Sequence, residues 1–342
     1  MHSCDSSDMF LSTLRQAAVL TALTSCGIYA QLREPPAVIE IDIEKFRFYL
    51  FDSSDFASWA TNPNRVDVTL HRNFNTMQAI GDVIAINGQP ARGTITATSG
   101  SIGGDPNPMP GVSPADLSGT ARLIYEIDLQ QPDGTPIGSL FAIGRNSAQP
   151  PPGSVGAIGG NMVIVGGTGA YFGARGQMLF GVGLPQSSPL ARASFTEDPI
   201  NRRLFGGLAF RRIAYIIPES RPQIVQRNGT AATFHTDFTP VTAERPSRAG
   251  ETVILQVTGL GPTRPGIPFG QPFPQEPIHV VNSPVEVTVD GQPAPVINKV
   301  GWPGLVDTYR VDIQLPEKVS GQARVRVTAA WIPGDEVRIP IR

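Results

Sequence analysis

At 342 residues the chain is longer than one ordinary domain and fits two. Gly (36) and Pro (33) supply about a fifth of it, above the usual share of roughly 12 % and below the ~25–30 % of low-complexity sequence. With 40 % hydrophobic and 16 % charged residues a core can form, which excludes whole-chain disorder, and a net charge of −2 excludes the basic footprint of a nucleic-acid binder.

The first thirty residues read as a leader. Arg15 precedes the uncharged run from Ala17 to Leu23, and small residues lead on to Ala30-Gln31. That order predicts a secretory signal over residues 1–30, too short for a stable bilayer anchor. Asp5 and Asp8 point to Met9 rather than Met1 as the start. Three readings of the segment stay open: cleavage after Ala30, lipidation at Cys26 within the lipobox-like Leu23-Thr24-Ser25-Cys26, and a buried core segment. Both cysteines, Cys4 and Cys26, lie in this leader, so a protein mature at residue 31 has no disulfide, thiol nucleophile or cysteine metal site. The expected localisation is secreted, periplasmic or cell-surface, and no later run of about 18 apolar residues suggests a transmembrane helix.

Strand signals fill the mature chain. Ile39, Ile41 and Ile43 place apolar residues on odd positions, whereas Phe46, Phe48 and Leu50 place them on even ones. The phase flip near Glu44-Lys45 predicts a bulge or a break. Leu123–Leu129 alternates, Asn87-Gly88 and Asp133-Gly134 are hairpin-type turn pairs, and Leu208–Ile217 reads as a strand closed by Pro218. Val285–Val289 runs into Asp290-Gly291, and Tyr309–Leu315 ends at Pro316. Helical periodicity is confined to a turn or two at Ser54–Ala60 and Pro114–Leu117. The expected fold is all-β, with one domain over residues 31–220 and a second over 221–342. Few apolar contacts are expected across the Pro-rich, polar joint at 218–227.

Gly166-Gly167-Thr168-Gly169 after the apolar run Val163-Ile164-Val165 has two readings. A dinucleotide loop would need a glycine where Phe172 stands and a helix afterwards, and neither is present. A strand–turn–strand corner needs positive φ and close backbone approach, which glycine supplies. No ligand spacing links His71, His235 and His279, and no G-x-S-x-G occurs, so neither a metal, a nucleotide cofactor nor a serine hydrolase is expected. Asn228-Gly229-Thr230 reads equally as a glycosylation sequon and as a hairpin turn.

The corner, continued as Ala170-Tyr171-Phe172-Gly173-Ala174-Arg175-Gly176, resembles the signature of the allene oxide cyclase/dirigent-like β-barrels. Phe46–Asp52 is similar to the first barrel strand of that family, and Gly81–Asn87 and Leu208–Ile217 fit its pattern, over about residues 36–218. The resemblance implies an eight-stranded antiparallel barrel whose lumen holds small hydrophobic molecules. It makes Asp52 the lumen acid and places Thr168 and Arg175 in the glycine corner. Phe172 stands where dirigent proteins carry an Arg, so their chemistry is not inherited with the fold. On the residues alone, Asp52 also reads as a turn cap and Arg175 as a salt-bridged or rim arginine. Tyr49, Tyr125 and Tyr171 read as packing aromatics rather than catalytic phenols, and with Thr168 they are the candidate ligand contacts.

Residues 223–342 resemble the acidobacterial-type C-terminal Ig-like domain of secreted bacterial proteins, through Gly250–Thr263, Val285–Val296 and Pro303–Pro316. Trp302 departs from the small residue expected there. The resemblance implies a β-sandwich used as a spacer, adhesion or surface-presentation module. The expected function is therefore that of an exported, non-enzymatic protein whose barrel binds a small apolar ligand or is structural. The alternatives are a dirigent- or isomerase-type enzyme with Asp52 and Arg175 shaping charge in the lumen, and an adhesion protein that binds a cell-surface polymer or a protein. The oligomeric state stays open.

Overall fold

A computed structural model describes residues 36–52, 74–102, 121–145, 161–181, 192–194, 198–205 and 207–342. The leader, its cysteines, His71 and the short turns expected at Ser54–Ala60 and Pro114–Leu117 lie outside the described residues.

Strands form wherever the sequence alternates. They are β1 (Ala37–Asp52), β2 (Phe74–Ile86), β3 (Gln89–Ile102), β4 (Ala121–Gln130), β5 (Pro136–Arg145), β6 (Asn161–Gly167), β7 (Arg175–Gly181), β8 (Arg192–Ser194) and β9 (Leu208–Ile217). Among the described residues, eight of them pair antiparallel in the order β2-β3-β4-β5-β6-β7-β9-β1, and β1 pairs back to β2. The barrel is closed, which removes the exposed edges of an open sheet. β8 adds a short parallel pairing to the end of β1. The period-2 pattern turns Ile95, Ala97, Leu123, Tyr125, Ile127 and Ile216 inward as one buried core.

The phase flip in β1 is a bulge. The register with β2 shifts between Glu44 and Arg47, and Lys45 takes φ +53°. The extra residue lets Ile39, Ile41, Ile43 and Phe46 all join the core despite their mixed parity. Asn87-Gly88 turns β2 into β3, with both residues at positive φ, and the Asn87 Oδ1 accepts a hydrogen bond from the Glu40 amide at 2.7 Å.

One segment fastens the barrel wall from outside. Asp198 caps a 3-10 turn (Pro199–Asn201) that runs into a single α-turn (Arg202–Phe205). From there Arg202 Nη2 reaches Asp82 Oδ1 on β2 at 2.5 Å, and Arg203 Nε reaches Oδ2 at 3.1 Å. Burial works to raise the Asp82 carboxyl, but the Arg203 and Arg202 guanidiniums outweigh it and hold it below the ordinary aspartate value of 3.8. By linkage, a depressed folded-state value stabilises above pH 3.8 and stops doing so as pH falls through the depressed value. Asp82→Asn should therefore cost about 2 kcal/mol at pH 7, between the values for exposed and buried pairs. The difference from the wild type should shrink in urea unfolding at the lowest pH at which the wild type stays folded.

The second region is a β-sandwich. One antiparallel sheet is centred on Thr252–Thr258 and Thr308–Gln314, the other on Val285–Val289 and Gly321–Ala329. Leu255, Val257 and Val311 from the first sheet interleave with Val289, Val325 and Val327 from the second in one core. Asp290-Gly291 and Asn228-Gly229 are both positive-φ hairpin turns, so the sequon lies in a tight turn.

The joint is more apolar than the sequence suggests, because the contacts come from a distant hairpin and not from the linker. Ala330 and Ile332 of the sandwich belong to the barrel's core cluster, with Trp331 packed against it. Polar contacts flank them: Asn282 Nδ2 donates to the Pro136 carbonyl at 3.0 Å, and Gln89 Nε2 donates to Glu286 Oε1 at 3.1 Å. Gln131 Nε2 donates to the Asn282 carbonyl. Residues 37–342 form one compact unit.

Candidate functional site

Among the described residues, the barrel interior holds a charge that its strand pattern makes conspicuous. Along β9 the inward phase is Leu208, Phe210, Arg212, Ala214 and Ile216, so Arg212 occupies a core position. Its side chain is fully buried at 0 % exposure. The guanidinium carbon lies 4.4 Å from the centroid of the Tyr125 ring and 5.0 Å from that of Phe210. Both are within cation–π range. Phe210 in turn meets Phe46 edge-on, with centroids 5.0 Å apart and planes at 87°.

The wall beside this cluster is built from small residues. Ala79, Ala97, Tyr125, Ala142 and Ile164 face one another in register across β2 to β6. Three alanines on that row leave the cross-section to Tyr125 and Arg212. Nearer the sandwich the filling changes to Ile39, Ile86, Leu129, Ile137, Leu140 and Ile216. Desolvation pushes the Arg212 guanidinium below its ordinary value, and Tyr125 opposes the shift. The guanidinium still holds its proton at neutral pH. A desolvated cation inside an apolar wall interacts with an anion far more strongly than it would in water.

The residues singled out from sequence are scattered over the barrel. Tyr125 lies in the lumen under Arg212. Tyr49 has the opposite parity to Phe46, and its hydroxyl donates to the Pro199 carbonyl at 3.3 Å, so it packs under the outer segment. Tyr171 is buried at the sandwich end, where its hydroxyl donates to the Ala330 carbonyl at 3.3 Å; burial drives its phenol pKa upward. Thr168 is exposed, and its Oγ1 accepts from the Ser139 amide at 3.1 Å. Arg175 is exposed at the start of β7, opposite Ile217. Asp52 closes the far end of β1, opposite Asn75, and its side chain lies outside the described residues. Since β1 begins opposite Ile216, the two candidate catalytic residues Asp52 and Arg175 sit at opposite ends of the barrel, and the fold does not bring them together.

The glycine corner is a turn between paired strands: β6 and β7 pair antiparallel, and Gly169 has φ +60°. Beyond Thr168 the chain makes a single 3-10 turn (Gly169–Tyr171) whose Tyr171 amide donates to the Thr168 carbonyl. The corner faces the sandwich, with the Phe172 ring tilted at 37° against Phe269, centroids 5.9 Å apart. The two described histidines each bind their own surroundings, His235 Nδ1 lying 2.5 Å from Glu251 Oε1 and His279 Nδ1 lying 2.7 Å from the Pro265 carbonyl. Among the described residues no three His, Cys, Asp or Glu side chains converge as a metal site, and no helix is long and apolar enough to cross a membrane.

Arg212 is the residue that the sequence reading missed. The signal was present: in Leu-Ala-Phe-Arg-Arg-Ile-Ala-Tyr-Ile-Ile it is the charge on the apolar phase, while its neighbour Arg211 points out to Asp42 at 2.5 Å.

Comparison with known proteins adds little. No family model matches the chain, and no curated protein matches it. Among solved structures it is similar to a polysaccharide lyase at 7 % identity, covering 88 % of this chain and 39 % of that one, with a TM-score of 0.17. The chain thus spans well under half the length of that enzyme, and at this score the likeness carries no argument about function.

Proposed function

We propose that this is an exported protein whose barrel binds a small apolar molecule bearing an anionic group, with the sandwich serving to present the barrel at the cell surface. The observation that carries the reading is Arg212, a fully buried guanidinium laid over Tyr125 beside a row of alanines. A buried cation stabilises a fold less well than an apolar side chain of similar volume. Its presence on the apolar phase of β9 therefore favours a recognition role. Ligand sites of this kind are mostly apolar, with few polar groups that fix orientation. The resemblance to allene oxide cyclase/dirigent-like barrels and to the Ig-like module of secreted proteins agrees with the reading, as does the signal-like leader.

A second reading, a solid barrel used only as a scaffold, is favoured by the Ile- and Leu-filled half next to the sandwich. Calorimetric titration of the chain from residue 31 with decanoate and with decan-1-ol separates the two. The expected result is saturable decanoate binding, weakened at least tenfold in Arg212→Met, with decan-1-ol bound no more weakly by the variant than by the wild type. If neither probe binds, the scaffold reading stands.

A further inference from the structure

The hairpin that enters the barrel's core is built against its own local preferences. Strands Gly321–Ala329 and Ile332–Pro333 are joined by a two-residue loop, Ala330-Trp331, flanked by the pair Ala329 and Ile332. Both loop residues lie in the left-handed region, at φ +49° and +62°. Two-residue turns of this kind normally take Asn-Gly, because a bulky side chain at positive φ is strained. The Trp331 Nε1–H is also buried with no acceptor among the described residues. A desolvated donor without a partner opposes folding.

Three unfavourable features at one hairpin tip need a compensating gain, and the gain lies in the barrel. Ala330 and Ile332 are 1 % and 2 % exposed and belong to the cluster formed by Ile39, Ile86, Leu129 and Tyr171. The Tyr171 hydroxyl holds the Ala330 carbonyl from the barrel side, and the Asn282 side chain ties the same face of the sandwich to the Pro136 turn. The strand Ile332–Pro333 that follows the tip packs on β1, which carries Ile39 and Ile41 of that core.

We propose that this tip is the floor of the barrel. The sandwich supplies the side chains that close the interior at one end, so the barrel's stability depends on a module that comes after it in sequence. The presentation module is then also a structural part of the barrel. This inference holds whether or not a ligand binds.

Amide hydrogen exchange on the ligand-free chain tests it, with variants Trp331→Gly and Trp331→Phe. Glycine suits the left-handed φ, so in an ordinary hairpin the first variant would gain order locally. As a floor, its loss should speed exchange at 37–43 and 214–217 at least tenfold while Thr252–Thr258 in the sandwich stays within twofold. Trp331→Phe keeps an aromatic ring without the buried N–H and should stay within threefold of the wild type throughout. Unchanged or slower exchange in the barrel strands of Trp331→Gly overturns the proposal. If Trp331→Gly unfolds everywhere, Trp331→Phe decides: near-wild-type protection supports the floor, and equal unfolding overturns it.

Discussion

Gly167→Val and Gly169→Val should each lower the free energy of unfolding by about 3 kcal/mol or more, through collision with backbone atoms and, at Gly169, backbone strain. A Cβ built on Gly167 would stand 2.2 Å from the Tyr171 carbonyl oxygen and 2.9 Å from that of Ser139. On Gly169 it would stand 2.4 Å from the Ile137 carbonyl oxygen, in a backbone already at φ +60°. These obstacles are backbone atoms, which cannot swing aside as a side chain can. Gly166 faces open space, so Gly166→Ala is the internal control and should stay within about 0.5 kcal/mol. Thermal melts of the three variants check the ranking. A dinucleotide loop would give the opposite pattern, with stability kept and binding lost. The 3-10 turn and the contact with Phe269 make the corner a docking element between barrel and sandwich.

Arg212→Ala should cost about 3–5 kcal/mol, the range for large-to-small changes of a buried side chain. The guanidinium stem and fork fill the space between Tyr125 and Phe210, so truncation leaves a void and removes both cation–π contacts. Its neighbour provides the contrast. Arg211 pairs with Asp42 at 2.5 Å and Glu40 at 2.7 Å on the outer wall, and Arg211→Ala should cost no more than about 1 kcal/mol. Urea unfolding of the two variants, one residue apart, reads the difference directly. Equal costs would mean that the lumen position of Arg212 carries no special energetic weight.

Much of the architecture was legible in the residues. Alternation in Leu123–Leu129 and Leu208–Ile217 marked strands because a half-buried strand has a period of two. The parity change at Glu44-Lys45 marked a bulge or a break, and the register shows a bulge, since an odd insertion returns both apolar sets to one face. Asn87-Gly88 marked a hairpin because its backbone reaches positive φ cheaply, and Asn228-Gly229, equally readable as a sequon, takes the same positive-φ turn. Within the candidate site, the inward parity of Tyr125 on β4 and of Arg212 on β9 was readable once each segment was taken as a two-faced strand.

Contacts between residues distant in sequence were decided by the tertiary structure alone. Tyr49 and Tyr171 look alike as buried aromatics, yet one seats under Pro199 and the other under Ala330, 150 and 159 residues away. Asp52 and Arg175 resemble a charged pair on paper, but the antiparallel order of the barrel sends their strand ends apart. The Ala330–Ile332 tip reads locally as an ill-suited hairpin turn, and only its place in the barrel core explains it. Local conformation is set by near neighbours along the chain, which sequence displays. Closure of a barrel and the docking of one core on another are set by which faces meet in space, and that depends on strand order and register rather than on any single segment.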